Sequence, residues 1–175
     1  LLSIWLSNGY ELGNHSYSHL NYHRTSFEDF TKDVLKGEEI TKALSAEYGL
    51  EYRYFRHPFL RSGSTKSHSD SLSTFLWSYG YTESPVTIDN TDYIFAQAYH
   101  IAYRQNETKL MEQIGDAYIE YMEQKLVYFE AVSEKLFGRN IAQTLLIHAN
   151  LLNSVYMSEL AEIYLMHGYT FVSQE

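Results

Sequence analysis

Apolar and polar positions alternate along the chain in blocks that predict helices and short strands in turn. Leu1, Leu2, Ile4, Trp5 and Leu6, followed by Asn8-Gly9, read as the last turns of an amphipathic helix closed by a glycine. A short strand is expected over 11–14, and Thr25-Ser26-Phe27-Glu28 offers a capping box for a long helix that ends at Gly49. Phe27, Phe30, Val34, Ile40 and Leu44 recur within it at steps of three, four or six, as one buried face would. A strand near 53–56 stops at Pro58, and a loop rich in Ser, Gly and Thr leads to a helix over 66–79 capped by Gly80. After a strand around 86–88, a long helical stretch carries Leu110, Ile114, Tyr118, Tyr121, Phe129, Val132 and Leu136 on one side and runs to Gly138. Residues 144–147 read as an apolar strand. A last helix carries Tyr156, Leu160, Ile163 and Tyr164, and a strand over 170–172 follows Gly168.

Strands alternating with helices predict βα units and an α/β fold with a parallel sheet or barrel. In such folds chemistry gathers at the carboxyl ends of the strands. Four polar groups fall at the predicted strand ends: His15 with His19, Arg56 to Phe59, Asp89 to Tyr93, and His148.

Composition narrows the picture. With 13 Lys+Arg against 22 Asp+Glu, the formal net charge of −9 argues against a nucleic-acid partner, which needs clustered cations. The 175 residues suit one domain, and no apolar run approaches the roughly 20 residues of a membrane span. The absence of cysteine removes disulfides, thiolate chemistry and Cys-ligated zinc. The 17 tyrosines suit partly buried packing with a wet hydroxyl and sugar-binding faces alike.

His15 and His19 stand four apart, so on a helix both imidazoles would share a face and could grip one cation at about 2.0–2.1 Å each. A zincin would need Glu directly after the first histidine, and the chain has Ser16. His148 follows Leu145-Leu146-Ile147 and by itself suits packing as well as chemistry.

Taken together, the segments resemble the polysaccharide deacetylase (NodB-homology) family of carbohydrate esterases. Gly13-Asn14-His15-Ser16-Tyr17-Ser18-His19 is similar to that family's His-(Ser/Thr)-x-x-His metal motif, and Arg56-His57-Pro58-Phe59 to its Arg-x-Pro-(Tyr/Phe) motif. Asp89-Asn90-Thr91-Asp92-Tyr93 resembles its Asp-x-x-Asp-Trp motif with Tyr for Trp, and Leu145-Leu146-Ile147-His148 its final apolar-His motif. The four occur in the family's order.

The resemblance implies a distorted (β/α)7 barrel forming a single domain over 1–175, and metal-dependent removal of acetyl groups from the N-acetylated sugars of a polysaccharide or oligosaccharide. It assigns His15 and His19 to a divalent metal, zinc by expectation, and His148 to the general acid. Asp92 or Asp89 would orient that imidazole, and Arg56 would hold the catalytic base. Pro58, Phe59 and Tyr93 would bound the substrate groove, and Leu146 the pocket for the acetyl methyl. The family's Asp-Asp pair, its base and third metal ligand, does not occur in the chain. The expectation is therefore a C-terminal portion that lacks the first two strands, has a helical insertion over 94–138, and shows little activity alone. Export to the periplasm or the exterior is implied for the intact protein. A silent sugar-binding relative and a structural domain whose histidines only pack are the rival readings. Substrate identity and oligomeric state are beyond these residues.

Overall fold

The computed structural model describes residues 1–174 and divides into two compact units, Leu1–Pro85 and the part from Val86 onward. In the first unit α1 (Leu2–Ser7) ends at Asn8, and Gly9 takes the left-handed conformation that closes it. The long helix α2 (Phe27–Glu47) starts one residue later than the predicted box. Its cap is Ser26, whose Oγ accepts from the Asp29 amide at 3.1 Å and donates to the Asp29 carboxylate at 2.7 Å. Phe30 and Val34 are fully buried, each worth about 1.5–3 kcal/mol. Ile40 is 76% exposed instead, because a six-residue step turns the helix some 120° away from Val34.

Unit one pairs its strands in parallel. Strand β1 (Tyr54–Phe55) runs beside β2 (Thr82–Glu83) in the register Tyr54 to Thr82 and Phe55 to Glu83. Asn14 forms a single parallel bridge on the other side of Phe55, so the expected strand over 11–14 is reduced to one paired residue. β2 was not predicted, being polar and only two residues long. Helix α3 (Lys66–Ser78) packs Leu72 and Leu76 onto Phe55, Phe30, Tyr22 and Tyr81, and Gly80 reverses the chain behind it.

The second unit is mostly helical. Ile88 and Leu145 make one parallel bridge, which is all that pairs of the two strands predicted around 86–88 and 144–147. The predicted helical stretch is two helices, α4 (Asp92–Gln105) and α5 (Thr108–Phe137), joined through left-handed Asn106 and ended by left-handed Gly138. With α6 (Leu151–Met166) they bury Tyr99, Tyr118, Met122, Leu126, Leu152 and Leu160 against Ile88. Met122 and Leu126, four and eight residues after Tyr118, carry the buried stripe. Leu110 and Leu136 from the predicted face are exposed. Residues 170–172 form no strand, and Phe171 and Val172 face solvent.

Parallel pairing and helical connections agree with the α/β class. A closed seven-stranded barrel is not present among the described residues, whose sheet has two strands of two residues. No helix among them is long and apolar enough to cross a membrane.

Candidate functional site

Each unit carries one polar centre. In the first, His15 and His19 do not lie on a helix: residues 15–19 are a loop with Ser16 and His19 both at positive φ, 62° and 53°. The expectation of a shared helical face is therefore corrected. Two buried side chains and one close-packed glycine fold this loop. The Asn14 amide donates to the Val34 carbonyl and the Tyr81 hydroxyl, each at 2.9 Å, and its oxygen accepts from the Ser16 amide at 2.8 Å. The Asp33 carboxylate accepts from the backbone of Tyr17 and Ser18 at 3.1 and 2.9 Å. At Gly37 of α2 a Cβ would stand 2.6 Å from the Ser16 carbonyl carbon, so only glycine lets the helix lie this close.

The loop brings the His15 and His19 rings edge to face, centroids 4.8 Å apart. His15 Nδ1 lies 2.8 Å from the Arg56 carbonyl, where it can only donate, so in the neutral ring the lone pair is on Nε2. A ring nitrogen held on a backbone carbonyl is the usual support of a metal-ligating histidine.

Beyond β1, Pro58 is buried and Phe59 and Leu60 both adopt left-handed φ, 56° and 54°. This strained turn leaves the Phe59 ring 57% exposed and edge to face on His19, centroids 4.5 Å apart. Burial lowers the pKa of Arg56, whose Nη2 donates to Ser84 Oγ at 2.9 Å while its buried Nε has no hydrogen-bond partner among the described residues. His57 Nε2 bonds Glu83 at 2.6 Å and ties the turn to β2. Burial tends to raise the Glu83 pKa, but hydrogen bonds from Ser73 and His57 outweigh it and hold the group below the ordinary carboxylate value.

The second centre is built on Asp92, the first residue of α4, which is fully buried. Its Oδ1 meets His148 Nδ1 at 2.7 Å, and its Oδ2 accepts from the His148 amide at 2.9 Å and from Asn153 Nδ2 at 2.8 Å. Asp92, not Asp89, is thus the partner of His148; Asp89 is an exposed turn residue that caps the amide of Asn90. Behind the pair, the Tyr118 hydroxyl donates to Asn153 Oδ1 at 2.5 Å, and the Asn90 amide holds the Leu146 carbonyl at 2.6 Å. Burial, then the charge of Asp92, keeps the Tyr118 phenol well above the ordinary tyrosine pKa. The His148 side chain is 53% exposed, with the exposed Tyr93 ring edge-on at 6.3 Å, and Leu146 is half-buried beside it in sequence.

Asn14, Asp33, Gly37, Tyr118 and Asn153 were not singled out as site residues from the sequence. Asn14 stands inside the first motif, and Asn153 is the residue whose amide caps onto Asn150 at the start of α6. Tyr118 gave no signal beyond its place on a helical stripe.

Among the described residues no group of three or more His, Asp or Glu side chains could hold a metal ion. His15 and His19 alone would supply two donors, whereas zinc needs at least three from the protein.

A histidine loop follows one parallel bridge, and a carboxylate-backed histidine follows another. The family model for polysaccharide deacetylases matches residues 1–82, which bears out the resemblance read from the motifs. In fold the chain is similar to a crystal structure of a mutant of BA3943, a CE4-family pseudoenzyme with restored enzymatic activity. The TM-score is 0.57 at 14% identity, and the likeness covers 97% of this chain and 48% of that one. The chain spans about half the length of that structure. No curated protein matches it.

Proposed function

We propose that the chain is part of a metal-dependent hydrolase that removes acetyl groups from N-acetylated sugars of a polysaccharide or oligosaccharide. The observation that carries this reading is His148, exposed at its outer edge and fixed at Nδ1 by the fully buried Asp92. In that arrangement Nδ1–H donates to Asp92, which orients the ring and stabilises the imidazolium, and Nε2 is the atom that hands a proton to the departing amine. Such proton transfer is worth about 10²- to 10⁴-fold in rate. Phe59 and Tyr93 offer exposed aromatic faces for sugar rings, Pro58 sets the turn that presents Phe59, and Leu146 bounds the acetyl methyl.

His15 and His19 are the proposed donors to a divalent metal, zinc by the preference of paired imidazoles. The described residues alone do not complete such a site. Arg56, a half-buried guanidinium whose Nε lacks a hydrogen-bond partner among the described residues, is the proposed seat for the carboxylate that acts as base. A catalytically silent sugar-binding relative is the second reading, favoured by the two-imidazole donor set. The proposed location is the periplasm or cell exterior, where such polymers lie.

The test is acetate release from N-acetylglucosamine tetramer with zinc, using the protein encoded by the whole reading frame. His148→Ala should lower turnover about 10²- to 10⁴-fold and keep zinc, while His15→Ala should lose both. Equal loss of zinc in the two variants would make His148 a ligand and overturn these roles. Glycan binding with no acetate release would select the silent relative.

A further inference from the structure

Phe59 and Leu60 follow one another in the left-handed region, at φ 56° and 54°, where residues other than glycine are disfavoured. Such a turn persists only where its surroundings over-determine it. The backbone supplies one part of the hold. The His57 carbonyl accepts from the Leu60 amide at 3.0 Å, and the Pro58 carbonyl accepts from the Arg61 amide at 3.1 Å. The turn is therefore only as fixed as His57.

His57 is fixed from β2. Its side chain is buried and stands edge-on to the Phe55 ring, centroids 5.1 Å apart. Its Nδ1 has no hydrogen-bond partner among the described residues, so the 2.6 Å bond from Nε2 to Glu83 is the polar hold on this buried ring. Glu83 also accepts from the Ser73 hydroxyl of α3. Burial pushes the Glu83 carboxyl up, yet the bonds from Ser73 and His57 keep it below its ordinary value, so at neutral pH it is a charged acceptor for both. Hydrogen bonds to an ionised acceptor are the strong ones. The polar residues that hid β2 from a hydrophobic pattern thus have a purpose. Glu83 holds His57, and Ser84 beside it takes Arg56 Nη2 at 2.9 Å.

Resting on the glycan reading above, we propose that Glu83 is a positioning residue for the substrate: through His57 it holds the strained turn that sets the Phe59 ring against His19, and so it governs how tightly a sugar stacks on that ring. The links run from Glu83 Oε2 to His57 Nε2, from the His57 carbonyl to the Leu60 amide, and from the Phe59 ring to the His19 ring at 4.5 Å. Glu83 acts through these links and not by contact with the sugar.

The experiment combines NMR of the His19 ring protons in the ligand-free protein with isothermal titration of N-acetylglucosamine tetramer. Phe59→Leu gives the His19 signals without the neighbouring aromatic ring. Glu83→Ala should move them toward that position, and Glu83→Gln, which keeps an acceptor for His57 Nε2–H, should leave them near those of the unaltered protein. Affinity for the tetramer should fall roughly threefold to tenfold in Phe59→Leu and in Glu83→Ala. The double variant should lose no more than Phe59→Leu alone. Thermal melting confirms that each variant is folded, and His57→Ala, which cuts the same link from its other end, carries the same expectations should Glu83→Ala not fold. Unmoved His19 signals in the folded variant overturn the positioning role and leave the deacetylase reading in place. Losses that add in the double variant show that Glu83 does not act through Phe59 and overturn it too. Failure of the unaltered protein to bind the tetramer overturns the glycan reading, and the substrate role of Glu83 with it.

Discussion

Asp92 shows how much one buried carboxylate organises. It accepts from His148 twice and from Asn153 once, and Asn153 is held in turn by Tyr118, so four side chains from α4, α5, α6 and the loop before α6 share one network. Tyr118→Phe removes the hydroxyl that donates to Asn153 Oδ1 and leaves that acceptor buried. The expected cost is about 1–3 kcal/mol in chemical denaturation, with Asn153→Asp a harsher change because it sets a second carboxylate against Asp92. An unchanged midpoint for Tyr118→Phe would show that the network does not support the His148 orientation. The choice between Asp89 and Asp92 was open in the sequence because both stand in the same motif. Only the start of α4 at Asp92 turns one of them inward.

At the scale of elements, α2 and the histidine loop depend on each other through a glycine. Helix propensity alone says that Gly37→Ala should stabilise a helix interior by about 1 kcal/mol. The close approach of the Ser16 backbone reverses the sign, because the added methyl overlaps main chain that has no freedom to yield. A net loss of about 1–3 kcal/mol in thermal melting is expected, together with disturbed His15 and His19 ring signals in NMR. A rise in melting temperature would contradict the packing described here. The helices were legible because capping and periodicity are local: Ser26, Gly80 and Gly138 each mark an end within a residue or so. The strands were legible only in part: the one expected near 53–56 is present as β1, whereas polar β2 gave no signal. A strand exists only where a partner supplies hydrogen bonds, and 11–13 and 170–172 have no such partner among the described residues.

For the whole molecule, two apolar clusters, one in each unit, bury Tyr22, Tyr81, Tyr99, Tyr118 and Tyr164 of the 17 tyrosines. Burial is the first cause that raises the pKa of Tyr22, Tyr52, Tyr81, Tyr118, Tyr156, Tyr164 and Tyr169 above 10.0. A phenol whose folded pKa is raised keeps its proton in the fold while the unfolded chain releases one near pH 10. Stability from these groups is therefore complete below that pH and falls as the pH rises beyond it. Alkaline titration should show part of the tyrosinate absorbance arriving together with loss of circular dichroism above about pH 10, and gradual ionisation of all tyrosines without unfolding would refute this. The sequence by itself determined the alternation of helices and strands, the helix ends and the four motifs, because these rest on neighbours within a few residues. Only the tertiary structure decided that the two histidines meet through a left-handed loop, that Asp92 takes His148, and that Glu83 takes His57. Those contacts join residues 26 to 56 positions apart in the last two cases, and no local pattern encodes which partner a buried side chain will find.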